Sequence, residues 1–239
     1  MNEISLIHQI LQPIHSDFVM IDVGAHYGGS LKYFAGDGAT VYAFEPDIDN
    51  RKKLLNSISH KNYNSRITID GRAVTNKDYE TKTFFRSEIS SGISGLSKFH
   101  DSHKPTYEVE TISLTTFCKE KNITNVDFLK IDTEGFDLFV LEGFNWDKYT
   151  PECIICEFED KKTHRLGYNW KDISEFLSKI GYHILVSEWE PIIKYGIQHQ
   201  WSSLKKYPTC LKSNDAWGNI LAFRKKNHFE LFIDKTTKQ

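Results

Sequence analysis

A recurring unit constrains this chain more than any other feature. A short apolar run ends in a turn that carries glycine or an acidic residue, and a stretch with helical spacing follows. The apolar runs lie at 18–23, 40–44, 67–70, 126–131, 153–156, 182–186 and 220–223. They are continuous and too short for helices, so they read as strands buried on both faces. Helical spacing occupies 3–11, 30–34, 47–58, 114–121, 136–141 and 170–180. Such alternation predicts an α/β fold with a mostly parallel twisted sheet and helices on both faces. Period-two alternation also appears at 81–85 and 107–112, around the polar loop Ser90-Ser91-Gly92-Ile93-Ser94-Gly95. Residues 189–218 fit neither period. The expected organisation is one domain over 1–239, with a core at about 15–188 and 219–225 and a small aromatic-rich cap at 189–218.

Several classes of protein are set aside at this stage. A chain of 239 residues buries roughly 70–75% of its unfolded surface, enough for a core without disulfides. Cys118, Cys153, Cys156 and Cys210 are too few and too scattered for a secreted disulfide scaffold. Cys153 and Cys156 lie three apart on a strand, so their thiols point to opposite faces and read as structural. Thirty Lys and Arg against thirty-two Asp and Glu leave a net charge of −2, so no overall field draws the chain onto nucleic acid or an acidic membrane. The amino-terminal residues lack a basic stretch followed by an apolar run, and no run of 18 apolar residues occurs. The expectation is a cytoplasmic protein with a small-molecule or glycan substrate, no nucleic-acid partner and no membrane span.

Three places carry residues suited to chemistry. Asp22-Val23-Gly24-Ala25-His26-Tyr27-Gly28-Gly29 joins the first strand to a helix. Glycines there let a ligand approach the backbone, and the helix start offers free N–H groups. The spacing is neither G-x-G-x-x-G nor a P-loop, so the turn suits a small carboxylate better than a pyrophosphate. Glu45 ends the second strand 21 residues after Gly24, where doubly wound folds place an acceptor for ribose hydroxyls. In Lys130-Ile131-Asp132-Thr133-Glu134-Gly135, the charges of Lys130, Asp132 and Glu134 are expected to alternate onto one side of a strand and its exit. Glu157 ends the neighbouring strand and can join them. These carboxylates suit either proton acceptance or oxygen ligation of a hard cation.

The stretches 22–28, Ala43-Phe44-Glu45-Pro46 and Phe128-Leu129-Lys130-Ile131-Asp132-Thr133-Glu134-Gly135 resemble the three motifs of FkbM-type methyltransferases. These are S-adenosylmethionine-dependent enzymes of the class I, Rossmann-like fold. The similarity in order and spacing runs over about 18–160, and Trp217-Gly218-Asn219-Ile220-Leu221 resembles the family's closing strand. His26 departs from the pattern, since many relatives carry Asn there. The resemblance implies that Asp22, Gly24, Ala25, His26 and Gly28 surround the cofactor's methionine end. It implies ribose at Glu45, adenine near Asp70 to Ala73, and the sulfonium methyl facing Asp132 and Glu134. It also implies methylation of hydroxyls, often on sugars or secondary metabolites.

A sugar hydroxyl is a weak nucleophile at neutral pH and needs a base or a metal to take its proton. Asp132, Glu134 and Glu157 supply oxygens for either, with Lys130 tethering the cluster. A direct carboxylate base is favoured over Mg²⁺ at Asp132 and Glu157, because the Lys130 charge repels a metal. Trp189, Tyr195, Trp201, Tyr207 and Trp217, interleaved with Lys194, Lys205 and Lys206, give 189–218 a surface suited to sugar faces and phosphate. The competing readings are a non-catalytic cofactor-binding subunit and a methyltransferase acting on an amine or another small acceptor. A nucleic-acid aminomethyltransferase is disfavoured, since no Pro-Pro motif follows the fourth strand.

Overall fold

A computed structural model describes residues 1–195 and 197–237. The chain starts with helix α1 (Glu3–Ile10), strand β1 (Val19–Val23), α2 (Leu31–Gly36), β2 (Thr40–Phe44), α3 (Ile48–Ile58) and β3 (Ile67–Asp70). Then come β4 (Ala73–Val74), β5 (Thr81–Ser87), β6 (His103–Ile112), α4 (Leu114–Glu120), β7 (Phe128–Ile131) and α5 (Asp137–Glu142). The last part holds β8 (Cys153–Glu159), α6 (Asp160–Thr163), α7 (Trp170–Lys179), β9 (His183–Trp189), β10 (Trp201–Lys206), β11 (Trp217–Phe223) and α8 (Lys226–Thr236). The main sheet runs β10-β9-β11-β8-β7-β1-β2-β3. Strands β3, β2, β1, β7 and β8 pair in parallel, and β11 pairs antiparallel with both β8 and β9. This is the class I, Rossmann-like arrangement expected.

The strand order reverses beside β1, whose neighbours are β2 and β7. Their carboxyl ends diverge there and leave the crevice in which open α/β sheets bind ligands.

Two apolar layers sandwich the sheet. Ile21, Val23, Leu129, Ile131, Ile154 and Cys156 meet α4, α5 and α7 on one face. Met20, Val41, Ala43, Phe128, Cys153 and Ile155 meet α1, α2, α3 and α8 on the other. The two-residue period therefore sends Cys153 and Cys156 to opposite layers, and both are free thiols. Asp47, after the Pro46 that ends β2, caps α3 by accepting the N–H groups of Asp49 and Asn50.

The core extends beyond its expected bounds at both ends. Helix α1 contributes Leu6, Ile7 and Ile10, and α8 contributes Phe232. The expected cap is not a separate layer throughout. Residues 201–206 are an edge strand, half-buried and rich in Ser and Lys, which hides the apolar period. A small second sheet, β4-β6-β5, stands over the carboxyl ends of β2 and β7. Among the described residues no helix is long and apolar enough to cross a membrane.

Candidate active site

The turn after β1 is fastened on three sides. The N–H groups of Gly24 and Ala25 donate to the carbonyl of Phe44 at 3.0 and 2.9 Å. His26 adopts a left-handed backbone, with φ near 50°, which Asn and His tolerate better than most residues. Its N–H donates to Glu45 Oε2 at 2.7 Å, while the N–H of Asp47 donates to Glu45 Oε1 at 2.8 Å. Glu45 thus ties the glycine turn to the start of α3. Its burial raises the carboxyl pKa to about 7. Gly24 has φ near 80°, and a Cβ there would stand 1.8 Å from the carbonyl oxygen of Asp132. Only glycine lets the turn lie flush against the exit of β7. Gly28 packs on α3 instead, where a Cβ would meet Leu54 at 2.6 Å.

Lys130 underpins this turn. Its Nζ donates to the Gly24 carbonyl at 2.9 Å and lies 3.1 Å from Asp22 and 3.4 Å from Asp132. Burial opposes its charge, but these two carboxylates outweigh that and raise its pKa. Asp22 is fully buried, accepts the Ser30 hydroxyl and pairs with Lys130, so it anchors the turn from beneath.

The carboxylates meet, though strand alternation does not bring them together. Strand β7 ends at Ile131, and 132–135 form a turn held by Thr133 Oγ1, which accepts the N–H of Phe136 and donates to Asp137. Glu134 is left-handed, with φ near 59°, and this swings it away from Lys130 toward α6. There Lys162, buried to 2% exposure, holds Glu134, Glu157 and Glu159 at 2.6, 2.8 and 3.0 Å. Oxygens of Asp132, Glu134 and Glu157 lie within 4.8 Å of one another. Burial, only partly offset by Lys162, raises the pKa of Glu157 to about 8 and that of Glu134 well above the carboxylate range. The Phe99 ring lies 5.6 Å from Lys162 Nζ, and Tyr195 of the aromatic segment donates to Glu159 at 2.9 Å. Asp132 differs from the others: its side chain is 39% exposed and, among the cations of the described residues, meets only Lys130.

This arrangement does not suit Mg²⁺. The ammonium of Lys162 already supplies the positive charge at the oxygens of Glu134 and Glu157. A second cation there would face it directly.

Beside these groups lies a cavity of about 170 Å³ with apolar walls from Val23, Phe44, Ala73, Val74 and Phe84. Its polar groups include Glu45, Asn50, His26, Ser91, Asp132 and Glu134. A second, more open cavity of about 410 Å³ shares Gly24, His26 and Asp132 with the first and reaches Ala25, Lys32, Tyr33 and Lys130. The loop between β5 and β6 roofs the first cavity. Ser91 Oγ contacts His26 Nε2 at 3.1 Å and Tyr27 Oη at 2.8 Å. Burial lowers the pKa of His26.

Asp70 is not part of the cavity wall. Arg72, two residues on, bends back across Gly71, holds Asp70 at 2.7 Å and also pairs with Glu120. Ala73 does line the wall. Sequence reasoning missed Lys162, Glu159 and Asn50. For Lys162 a signal was present in Glu157-Phe158-Glu159, two carboxylates on one face of a buried strand that need a nearby cation.

No curated protein matches the chain in sequence. Many solved structures are similar in shape, among them the following three. Precorrin-6y C5,15-methyltransferase of Geobacter metallireducens is 12% identical with a TM-score of 0.46, covering 92% of this chain and 86% of its own. The precorrin 8W decarboxylase of Methanobacterium thermoautotrophicum is 14% identical with a TM-score of 0.49, covering 93% and 89%. An rRNA methylase of Streptococcus thermophilus is 8% identical with a TM-score of 0.43, covering 92% and 93%. Family membership rests on sequence rather than on these likenesses. Residues 22–184 match the Methyltransferase FkbM domain, and the chain belongs to that family of S-adenosylmethionine-dependent methyltransferases.

Proposed function

We propose that the enzyme methylates a hydroxyl group of a sugar, a glycan precursor or a related polyhydroxylated metabolite. The observation that carries this reading is the meeting of Asp132, Glu134 and Glu157 within 4.8 Å, beside a cleft that the 24–28 turn and Glu45 close from the other side.

The residues of the cleft fit S-adenosylmethionine. Ala73, Val74 and Phe84 offer apolar walls for a flat base. Glu45 and Asn50 offer acceptors for ribose hydroxyls, and Asn50 Oδ1 is buried without a hydrogen-bond partner. The bound cofactor supplies a methyl group on a good leaving group. The protein's part is to hold the acceptor oxygen in line and to remove its proton.

Asp132 is the carboxylate best placed for the proton. It is half-exposed where the two cavities join, and it is free of Lys162. Lys130, 3.4 Å away, provides its counter-charge. Glu134 and Glu157, fixed by Lys162, accept hydrogen bonds from the acceptor's other hydroxyls and orient it. Tyr195 brings its ring from the 189–218 segment to this cluster, whereas Trp189 and Trp201 donate to Glu3 and Ser187.

The test is incubation of the protein with methyl-labelled S-adenosylmethionine and a panel of free sugars, nucleotide sugars, phenols and amines, with products identified by mass spectrometry. A labelled methyl ether on a polyhydroxylated acceptor supports the reading. Label found only on an amine would refute it.

A further inference from the structure

We propose that Asn50 binds a ribose hydroxyl of the cofactor and relays that contact to the loop roofing the cleft. The inference rests on the cofactor lying against Glu45. Asn50 is the third residue of α3 and is 3% exposed, and its side chain lines the cavity. Its Nδ2 donates to the carbonyl of Ser91 at 3.4 Å, while its Oδ1 has no hydrogen-bond partner. The Ser91 carbonyl fixes this orientation, because a flipped amide would set two acceptor oxygens against each other. An acceptor buried this completely is normally satisfied, and the cleft is where its donor belongs.

The position selects the donor. The apolar walls at Ala73, Val74 and Phe84 suit the base, whereas Asn50 stands with Glu45 at the head of α3. Both Glu45 oxygens already accept main-chain N–H groups, but a carboxylate oxygen has room for a second donor. Vicinal hydroxyls can therefore be divided, one to Glu45 and one to Asn50. The far side of the Asn50 amide holds Ser91, whose hydroxyl contacts His26 and Tyr27. The same loop packs on the carboxylate turn, where a Cβ at Gly95 would touch Glu134 Cβ at 3.2 Å. A donor on Asn50 Oδ1 fixes the amide, which fixes Ser91 and with it the roof over the carboxylates.

The experiment is calorimetry on wild type and Asn50→Ala with S-adenosylhomocysteine, its 2′-deoxy and 3′-deoxy analogues, and its inosine analogue. Hydrogen exchange over 88–96 is followed in parallel. Loss of the contact should weaken S-adenosylhomocysteine binding roughly tenfold. That penalty should vanish with one deoxy analogue and persist with the inosine analogue. The ligand should slow exchange of 88–96 in wild type and do so less in the variant. Thermal unfolding checks the fold, and Asn50→Ser replaces the alanine variant if that one is unfolded. Equal affinity in a folded variant, a penalty erased by the inosine analogue alone, or identical loop protection would each overturn the proposal. Absence of binding to wild type would instead remove the cofactor placement beneath it.

Discussion

Lys162 Nζ lies 2.6 Å from Glu134 Oε2, inside a cluster where both side chains are nearly excluded from water. The same ammonium holds Glu157 and Glu159, so three glutamates depend on one cation. Removing one partner of a buried ionic cluster typically costs about 3–5 kcal/mol, because charge is left uncompensated. Lys162→Met should therefore lower stability by about that much at pH 8 in urea denaturation. The loss should grow as pH rises above about 8, the value to which Glu157 is raised, and shrink below it, where protonated carboxyls no longer need the ammonium. A loss that does not change with pH would show that Lys162 acts only by packing.

Glu45 gives a second pH dependence. Its folded-state pKa is raised to about 7 from an ordinary 4.5. Between these values the folded chain binds more protons than the unfolded chain, so this group's contribution is fully present below about 4.5 and is lost as pH rises through 7. The shift corresponds to about 3 kcal/mol. Glu45→Gln should flatten the fall in unfolding free energy between pH 5 and pH 8. An unchanged slope would contradict the burial of an ionisable group there. In the cofactor site, Glu45→Ala should weaken S-adenosylhomocysteine roughly 10- to 150-fold, as expected for loss of a charged hydrogen-bond partner.

Gly24→Ala should be among the most damaging single substitutions in the chain. Its Cβ would stand 1.8 Å from a main-chain oxygen, and the backbone is left-handed. Neither β1's turn nor β7's exit can yield without disturbing Glu45 or Asp132. A loss of more than about 3 kcal/mol is expected, visible as a lower melting temperature and weaker cofactor binding. A variant as stable as wild type would show that the turn relaxes.

Much of this site was legible because its residues sit where elements end. Strand runs bounded by Gly24, Pro46 and Gly135 placed the 24–28 turn, Glu45 and Asp132 at one edge of the sheet. What stayed hidden depends on partners distant in sequence or on unusual backbone. Glu134 joins the cluster through a left-handed turn and not through strand alternation, which no period reveals. Lys162 lies on a four-residue helix with no apolar pattern of its own. Asp70 pairs with its neighbour Arg72 and lies outside the cavity wall, a local pairing that no strand or helix period reveals. Strand β10 is only half-buried along its length, so it shows no two-residue period.

Single-turnover transfer of a labelled methyl group to a hydroxyl acceptor, measured in wild type and Asp132→Asn, tests most directly whether a carboxylate here removes the acceptor's proton. Loss of a general base costs 10²–10⁴ in rate. The predicted result is a fall of about that size in Asp132→Asn, with S-adenosylhomocysteine affinity nearly unchanged and the product still a methyl ether. Transfer at the wild-type rate by a folded Asp132→Asn variant would contradict it.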